Sequence, residues 1–289
     1  LRERVTGLVI LVLAAIIVLV TLTPLVFLFV TSLQSRDYIL QLPPKIVGFP
    51  PVDWNYLAVL GYRITVEQSA SLGDFPRFLA NSAVICGGAT TLAALVGTMA
   101  AYAFVRYYPS FPRVANNLSF FVLTLRFLPP VAIIVPLFIL YDRMGFVNTF
   151  YGMILIYTIF SLPFSVWMMI SFVAGVSKDI EEAAKIDGMT DFQVFRKIVF
   201  PIVLPGFIAT IVFNLMITWN DFLVALVLTG EQTRTLTVGM SAYMLHGTFA
   251  EAMYGQLAAG GLVAAIPIVI LVILLRRQFI RGMTLGAIK

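Results

Sequence analysis

The sequence predicts an all-α membrane protein with six transmembrane helices, and three observations support this fold class. Apolar residues make up 60% of the 289 residues and charged residues only 11%, where soluble domains carry about 25% charged residues. The apolar residues form long uncharged runs between short charged segments, which is the pattern of a chain whose solvent is lipid. Alternating segments of about ten residues, which are typical of a membrane β-barrel, are absent from the sequence.

Six runs are long enough to cross a bilayer, which takes about 20 apolar residues in a helix. The first run is too long for the apolar part of a secretory signal, and no small-residue cleavage site follows it. Because the sequence begins at Leu1 rather than Met, we expect that the natural N-terminus is missing. We predict one membrane domain, 1–289, with spans at about 8–33, 78–105, 114–141, 146–176, 198–229 and 252–275.

The second span carries a stripe of small residues, spaced four apart along one helix face: Ala89, Ala93, Gly97 and Ala101. Such a stripe lets the backbone of another helix approach closely. Chance spacing in an alanine-rich span is the alternative. We favour close packing, because small residues at this spacing commonly mark helix contacts in membranes.

The distribution of Lys and Arg predicts the orientation in the membrane. These residues are concentrated near the N-terminus, in 106–113, in 177–197 and in the tail 276–289. Basic residues favour the cytoplasmic side, so we predict that both termini are cytoplasmic and that 34–77 and 230–251 form external loops.

The cytoplasmic loop 177–197 has the signals of two short helices separated by a sharp turn. Ser177 is a predicted N-cap, and Gly188 is well placed to end the first helix in the left-handed conformation. Thr190 and Gln193 predict a capping box at the start of the second helix. This loop should therefore lie along the membrane surface rather than across it.

The first of these helices has acidic residues in its opening turns and two small residues, Ala183 and Ala184, that permit close approach by another protein. An ordinary amphipathic interfacial helix is the alternative. Helices of that kind are usually rich in Lys and Arg on the polar face, so the leading acids disfavour lipid headgroups as the partner.

The sequence EAAKIDG at 182–188, followed by PG at 205–206, resembles the EAA loop of ATP-binding cassette (ABC) importer permeases. YAFVR at 102–106, WND at 219–221 and RGMTLGAIK at 281–289 extend the resemblance over nearly the whole chain, to the MalG-like, binding-protein-dependent carbohydrate importers. The cluster Arg126-x-x-Pro129-Pro130 looks closer to relatives that import polyols, glycosides or other small sugars. The resemblance implies the ABC type I importer permease fold, with 177–197 as the coupling loop that contains the coupling helix.

The resemblance also implies a function and a set of partners. The chain would be a non-catalytic permease subunit of an ATP-driven sugar importer in the bacterial inner membrane. Its partners would be a second permease subunit in a heterodimer, two ATPase subunits and an extracytoplasmic solute-binding protein, with no nucleic acid. The chain itself would hold no cofactor, and ATP and Mg would bind to the ATPase. Consistent with that division, the sequence has no GxxxxGK[ST] segment to cradle a nucleotide.

Two groups of site residues follow from the resemblance. Residues 231–256 would form an external loop that probes the sugar cleft of the binding protein with Tyr243, His246 and Tyr254. Glu182 would pair with a basic residue of the ATPase, and the tail would reach between the ATPase subunits. The full predicted docking surface consists of Ile180, Glu181, Glu182, Ala183, Ala184, Asp187, Gly188, Met189 and Lys289.

The third and fifth spans contain polar residues whose role can be interpreted in two ways. These residues are Arg126, Trp219, Asn220 and Asp221. Ionisable groups at such depth are costly and usually face a cavity or a partner. In the first interpretation they line the substrate pathway, with Trp219 stacking on a sugar. In the second, Asp221 pairs with Arg126 or with a partner subunit and holds the helices in register.

Two other classes of protein are weighed against the importer. An ion-coupled secondary transporter usually has inverted repeats and networks of acidic residues in the membrane; here we detect no repeat and one such acid, Asp221. A membrane enzyme needs a nucleophile, a base or metal ligands. The sequence offers little for that chemistry, since it has one histidine, His246, and one cysteine, Cys86, which lies inside an apolar run. These two residues do not suggest a metal site.

Overall fold

The computed structural model describes residues 2–43, 45–62, 74–107, 124, 129–245 and 253–287. Every regular element in these ranges is helical, which confirms the predicted fold class. The helices are α1 (Arg2–Ser32), α2 (Arg36–Ile39), α3 (Trp54–Val59), α4 (Phe75–Tyr107), α5 (Pro130–Arg143), α6 (Phe150–Ala174), α7 (Lys178–Ile186), α8 (Asp191–Val194), a π-helical turn (Phe195–Val199), α9 (Phe200–Trp219), α10 (Leu223–Leu228), α11 (Leu236–Leu245) and α12 (Tyr254–Ala287).

Within the described ranges, 5 helices are long and apolar enough to cross a membrane. They correspond to the predicted first, second, fourth, fifth and sixth spans. Half of the predicted third span, 114–141, lies outside the described residues, and its described part includes most of the 14-residue helix α5, which ends at Arg143. The five helical segments are Val9–Ser32, Phe75–Tyr107, Phe150–Ala174, Asp191–Trp219 and Tyr254–Leu274.

One compact unit comprises residues 1–77 and 239–266. In it, the buried side chain of Asn55 joins α3 to the end of α1. Its Nδ2 donates to the carbonyl oxygens of Ser32, at 2.9 Å, and Gln34, at 3.0 Å. The hydroxyls of Ser32 and Tyr56 share a hydrogen bond of 2.7 Å. The two bonds of Asn55 satisfy carbonyl groups at and just after the C-terminal end of α1, which have no partner within the helix.

The second compact unit comprises residues 78–238 and 267–289, and the small-residue stripe of α4 is packed within it. All four stripe residues are buried. The two helices approach closely at Gly97, where an added β-carbon would lie 2.5 Å from Cβ and 3.0 Å from the carbonyl carbon of Ser165, and 3.1 Å from the nitrogen of Val166 in α6. The close packing predicted from the stripe is therefore confirmed. Ser165 in turn accepts a hydrogen bond of 2.8 Å from Asn214 of α9, which links three helices.

The predicted fifth span, 198–229, is not one continuous α-helix. It begins with the π-helical turn and is interrupted at 220–222, between α9 and α10. Asp221 lies in this interruption, and its Oδ2 accepts a hydrogen bond at 3.2 Å from the backbone nitrogen of Ala225, in the first turn of α10. The first backbone N–H groups of a helix have no partner within it, so this bond stabilises the start of α10.

Candidate functional site

The local structure of the coupling loop is the one that its sequence predicts. Ser177 Oγ accepts from the backbone nitrogen of Asp179 at 3.2 Å, so it caps α7. Gly188 has φ +84° and lies in the left-handed region directly after that helix. Thr190 and Gln193 form the predicted capping box, with reciprocal bonds of 3.4 Å and 2.9 Å. The predicted caps and turn are confirmed.

Helix α7 has an inner and an outer face, and two predicted docking residues lie on the inner one. Glu181 and Ala184 are buried, with 4% and 5% of their surfaces exposed. They are three residues apart and therefore share one side of the helix. That side packs against the ends of α4 and α6, so Glu181 and Ala184 are covered by their own chain, and their part in ATPase docking stays a prediction.

The outer face carries the remaining predicted residues of α7 and its turn. Ile180, Glu182, Ala183, Asp187 and Gly188 are exposed. Met189 is partly buried against the apolar core that forms beneath the loop. The terminal residue Lys289 lies outside the described residues.

Apolar side chains project from the coupling loop. Ile186 has 86% of its surface exposed, Phe192 has 63% and Ile180 has 49%. Phe192 was not among the residues predicted from the sequence. It follows the capping residue Thr190 by two positions and lies on the exposed side of α8. This position next to a predicted cap is the signal that could have identified Phe192 as an exposed apolar residue. The loop therefore offers an acidic group, Glu182, together with exposed apolar side chains.

Glu181 lies in a buried polar cluster at the end of α4. Its Oε1 accepts from Nε of Arg106 at 2.7 Å, and its Oε2 accepts from the hydroxyl of Tyr102 at 3.1 Å. Nη2 of the same guanidinium lies 2.5 Å from Oε1 of Glu181. It also donates to the carbonyl oxygens of Val176, at 2.9 Å, and Val173, at 3.2 Å. Arg106 thus binds the coupling helix and the end of α6 at once.

A second ion pair joins the two short helices of the coupling loop on the solvent-exposed side of the turn between them. Nζ of Lys185 lies 2.6 Å from Oδ1 of Asp191, and both side chains are about half exposed. The hydrogen bond from Lys185 to Asp191 raises the pKa of the lysine. Because exposed ion pairs contribute little stability, this pair fixes the direction of the turn rather than holding the loop together.

The three polar residues predicted in the fifth span differ in exposure and in hydrogen-bond partners. Asp221 Oδ2 accepts from the hydroxyl of Tyr157 at 2.8 Å, in addition to its bond from the backbone nitrogen of Ala225. Trp219 is buried, with 6% of its surface exposed. Asn220 is exposed, and its Nδ2 donates to the carbonyl oxygen of Met216 at 2.7 Å. Asp221 therefore has a structural partner in its own chain. Arg126 lies outside the described residues, so its pairing with Asp221 stays a prediction.

The segment after the fifth span is held by two asparagines that the sequence did not single out. Oδ1 of Asn148 accepts from the backbone nitrogens of Gly230, at 3.0 Å, and Thr233, at 3.2 Å. Nδ2 of Asn81 donates to the carbonyl oxygens of Gln232 and Arg234, both at 3.0 Å. These bonds fix the first part of the predicted external loop 230–251.

The residues predicted to contact a binding protein are only partly described. Tyr254 is half-buried at the first position of α12. Tyr243 lies in α11, but its side chain is outside the described part of the chain, and His246 lies outside the described residues altogether.

The described residues form only helices as regular elements, several of them able to cross a membrane, and they carry a capped acidic loop before the fifth span, a combination that is typical of a permease subunit. The chain belongs to the family described as "Binding-protein-dependent transport system inner membrane component", which its residues 88–284 match. It is 32% identical over 281 residues to the trehalose transport system permease protein SugB of Mycobacterium tuberculosis, with 96% of each chain covered.

Two further comparisons cover nearly all of the chain. It is 29% identical over 290 residues to the trehalose/maltose transport system permease protein MalG of Thermococcus litoralis, covering 100% of this chain and 99% of that protein. The fold is similar to a subunit in the crystal structure of a bacterial ABC transporter involved in the import of the acidic polysaccharide alginate. The TM-score is 0.76 at 22% sequence identity, with 96% of this chain and 98% of that chain covered.

The contacts of Asp221 predict that its role depends on hydrogen-bond acceptance rather than on charge. Asp221→Asn keeps an acceptor for Tyr157 and Ala225, so the unfolding temperature in detergent should change little. Asp221→Ala leaves both donors without their acceptor, which costs about 1–3 kcal/mol for a buried group, and the unfolding temperature should fall. Asn220→Ala, at the exposed neighbour, is the control and should leave it unchanged. Unaltered stability of Asp221→Ala together with weakened solute binding would support the pathway interpretation instead.

Proposed function

We propose that this chain is one transmembrane subunit of an ATP-driven importer of a sugar or sugar-like solute, such as an oligosaccharide, glycoside or polyol. The two relatives named above are permease proteins of trehalose and trehalose/maltose transport systems, which supports this class of solute. The family description supports dependence on an extracytoplasmic binding protein. The chain forms half of the translocation pathway, and a second permease subunit forms the other half.

The coupling loop is the observation that carries this proposal. Its inner face is fixed to the chain by Glu181 and Ala184, and its outer face leaves Glu182 and Ile186 exposed. A loop that is rigidly capped and anchored on one side can transmit a movement applied to its other side. We infer that the outer face docks on an ATPase subunit, which binds ATP and Mg, and that Glu182 pairs with a basic residue there.

The proposed orientation places both termini and the coupling loop in the cytoplasm and the 230–251 loop outside. In this orientation Tyr243, His246 and Tyr254 belong to the side that meets the binding protein. Asn220 is exposed at the interruption of the fifth span. It is therefore a better candidate for contact with the solute than Trp219 and Asp221, which are partly or fully enclosed by their own chain.

Uptake into proteoliposomes tests the proposed function. The chain is reconstituted with a second permease subunit, an ATPase and a solute-binding protein from the same genome, and accumulation of radiolabelled trehalose or maltose is measured. Uptake should require both internal Mg-ATP and the binding protein, and a protonophore should not reduce it. Uptake that persists without ATP and collapses with the protonophore would contradict the proposal and favour an ion-coupled secondary transporter.

Charge reversal in the coupling loop gives a matched test of docking. Glu182→Lys should lower co-purification of the ATPase and ATP-dependent uptake together, because it places a lysine where a basic partner is expected. Asp142→Lys reverses an exposed acid at the end of α5, outside the coupling loop, and should leave both quantities unchanged. Equal behaviour of the two variants would remove Glu182 from the docking surface.

A further inference from the structure

Two adjacent glutamates of the coupling helix point in opposite directions. Glu182 is exposed, whereas Glu181 has 5% of its side chain exposed and is fully engaged by Arg106 and Tyr102. The outward glutamate belongs to the docking surface proposed above. The inward glutamate cannot reach a partner, so its charge must serve a purpose within this chain.

The buried charge of Glu181 is compensated by the guanidinium of Arg106, whose position is restricted by burial and by its hydrogen bonds. Arg106 lies in the last turn of α4 and also has only 9% of its side chain exposed. It donates to one carboxylate oxygen of Glu181, to the carbonyl oxygen of Val173 in the last turn of α6, and to that of Val176 just after the helix. Positive charge is favourable at the C-terminal end of a helix, where carbonyl groups lack partners. One side chain therefore joins α4, α6 and α7.

This junction resists movements that apolar packing would allow. The contact beneath α7 is formed by small and apolar residues such as Ala184, Val173 and Val194, which can slide past one another. Shifting α7 relative to α4 would separate Arg106 from Glu181 and leave two buried charges unpaired, which is strongly unfavourable. Charge-assisted bonds with a planar guanidinium also impose direction, which contacts between methyl groups do not.

We propose that Arg106 and Glu181 are positioning residues that make the coupling helix move as one body with the cytoplasmic ends of α4 and α6. This inference rests on the proposed function, because it assumes that an ATPase moves α7. Tyr102 supports the same junction through its bond to the second oxygen of Glu181. The pair determines how much solute is moved for each ATP hydrolysed, rather than whether the ATPase binds.

The test compares Glu181→Gln with its neighbour Glu182→Gln in the reconstituted complex. Three quantities are measured: co-purification of the ATPase, ATP hydrolysis and trehalose or maltose transported per ATP. Glu181→Gln should keep co-purification and hydrolysis but lower transport per ATP by about tenfold or more, since it replaces a charge-assisted hydrogen bond with a weaker neutral one. Glu182→Gln should instead weaken co-purification, because its side chain lies on the outer face.

Two more variants keep the proposal falsifiable if Glu181→Gln does not fold. Tyr102→Phe removes a single bond to Glu181 and keeps the ring, and it should lower transport per ATP by a smaller factor. Arg106→Lys keeps the charge but cannot reach the carboxylate and the carbonyl groups together, and it should resemble Glu181→Gln. Unchanged transport per ATP in all three, or a parallel fall of transport, hydrolysis and co-purification, would overturn the proposal. If wild-type chain binds no ATPase at all, the proposed function fails instead.

Discussion

Replacing Gly188 by Val should abolish most ATP-dependent uptake, and the cause should be purely conformational. Gly188 has φ +84°, and an added β-carbon would have no atom within 4 Å. Non-glycine residues pay about 1–2 kcal/mol in the left-handed region, and β-branched residues are genuine outliers there. The chain should avoid that strain by changing the turn, which would redirect the exposed groups of the coupling loop. Uptake and ATPase co-purification measure the effect.

A graded series separates the backbone from side-chain size. Gly188→Asn should be tolerated best, because Asn visits the left-handed region most readily, and Gly188→Ala should be intermediate. Gly145→Val is the matched control: Gly145 has φ +69°, also with nothing within 4 Å, but lies between α5 and α6. That variant should lose similar stability while retaining transport per ATP. Loss of uptake that follows side-chain size, with Asn as harmful as Val, would contradict this explanation.

Replacing Gly97 by Ala should destabilise the chain markedly. The new methyl would lie within contact distance of the backbone of α6, at Ser165 and Val166, and backbone cannot turn away as a flexible side chain can. Overpacking of this kind typically costs about 1–3 kcal/mol. The unfolding temperature and the yield of monodisperse protein in detergent should both fall, and Gly97→Leu should not yield folded protein.

The same helix provides the control for Gly97. An added β-carbon at Gly87 would meet nothing within 4 Å. Gly87→Ala therefore adds the same methyl group to α4 without a clash, and the unfolding temperature should be unchanged or slightly higher. If the two alanine variants lose stability equally, the close approach of α4 and α6 at Gly97 does not limit the packing.

The sequence predicted the features of the coupling loop that depend on neighbouring residues. A cap, a capping box and a left-handed glycine involve groups only a few residues apart, so Ser177, Gly188, Thr190 and Gln193 could be recognised directly. The small-residue stripe of α4 was equally readable, because its spacing of four residues is itself the signal for a packed helix face.

Features that depend on distant residues could not be predicted in the same way. Adjacent glutamates look alike in a sequence, and only the position of Arg106, separated by 75 residues from Glu181, decides which one turns inward. The contact of Asp221 is similar, because its partner Tyr157 is 64 residues away. A long apolar run predicts a span but does not tell whether one of its polar residues will start a new helix.

The most direct test of the account is site-specific cross-linking from the coupling loop in the assembled transporter. The native cysteine, Cys86, is buried with 1% of its surface exposed, so its background should be low. A cysteine at Ile186, which is 86% exposed, is compared with one at buried Ala184. We predict that Ile186→Cys cross-links to the purified ATPase subunit and reacts with an impermeant maleimide only in inverted vesicles, whereas Ala184→Cys does neither. Labelling of Ile186→Cys from the outer face, or no cross-link to the ATPase in a transporting complex, would contradict the account.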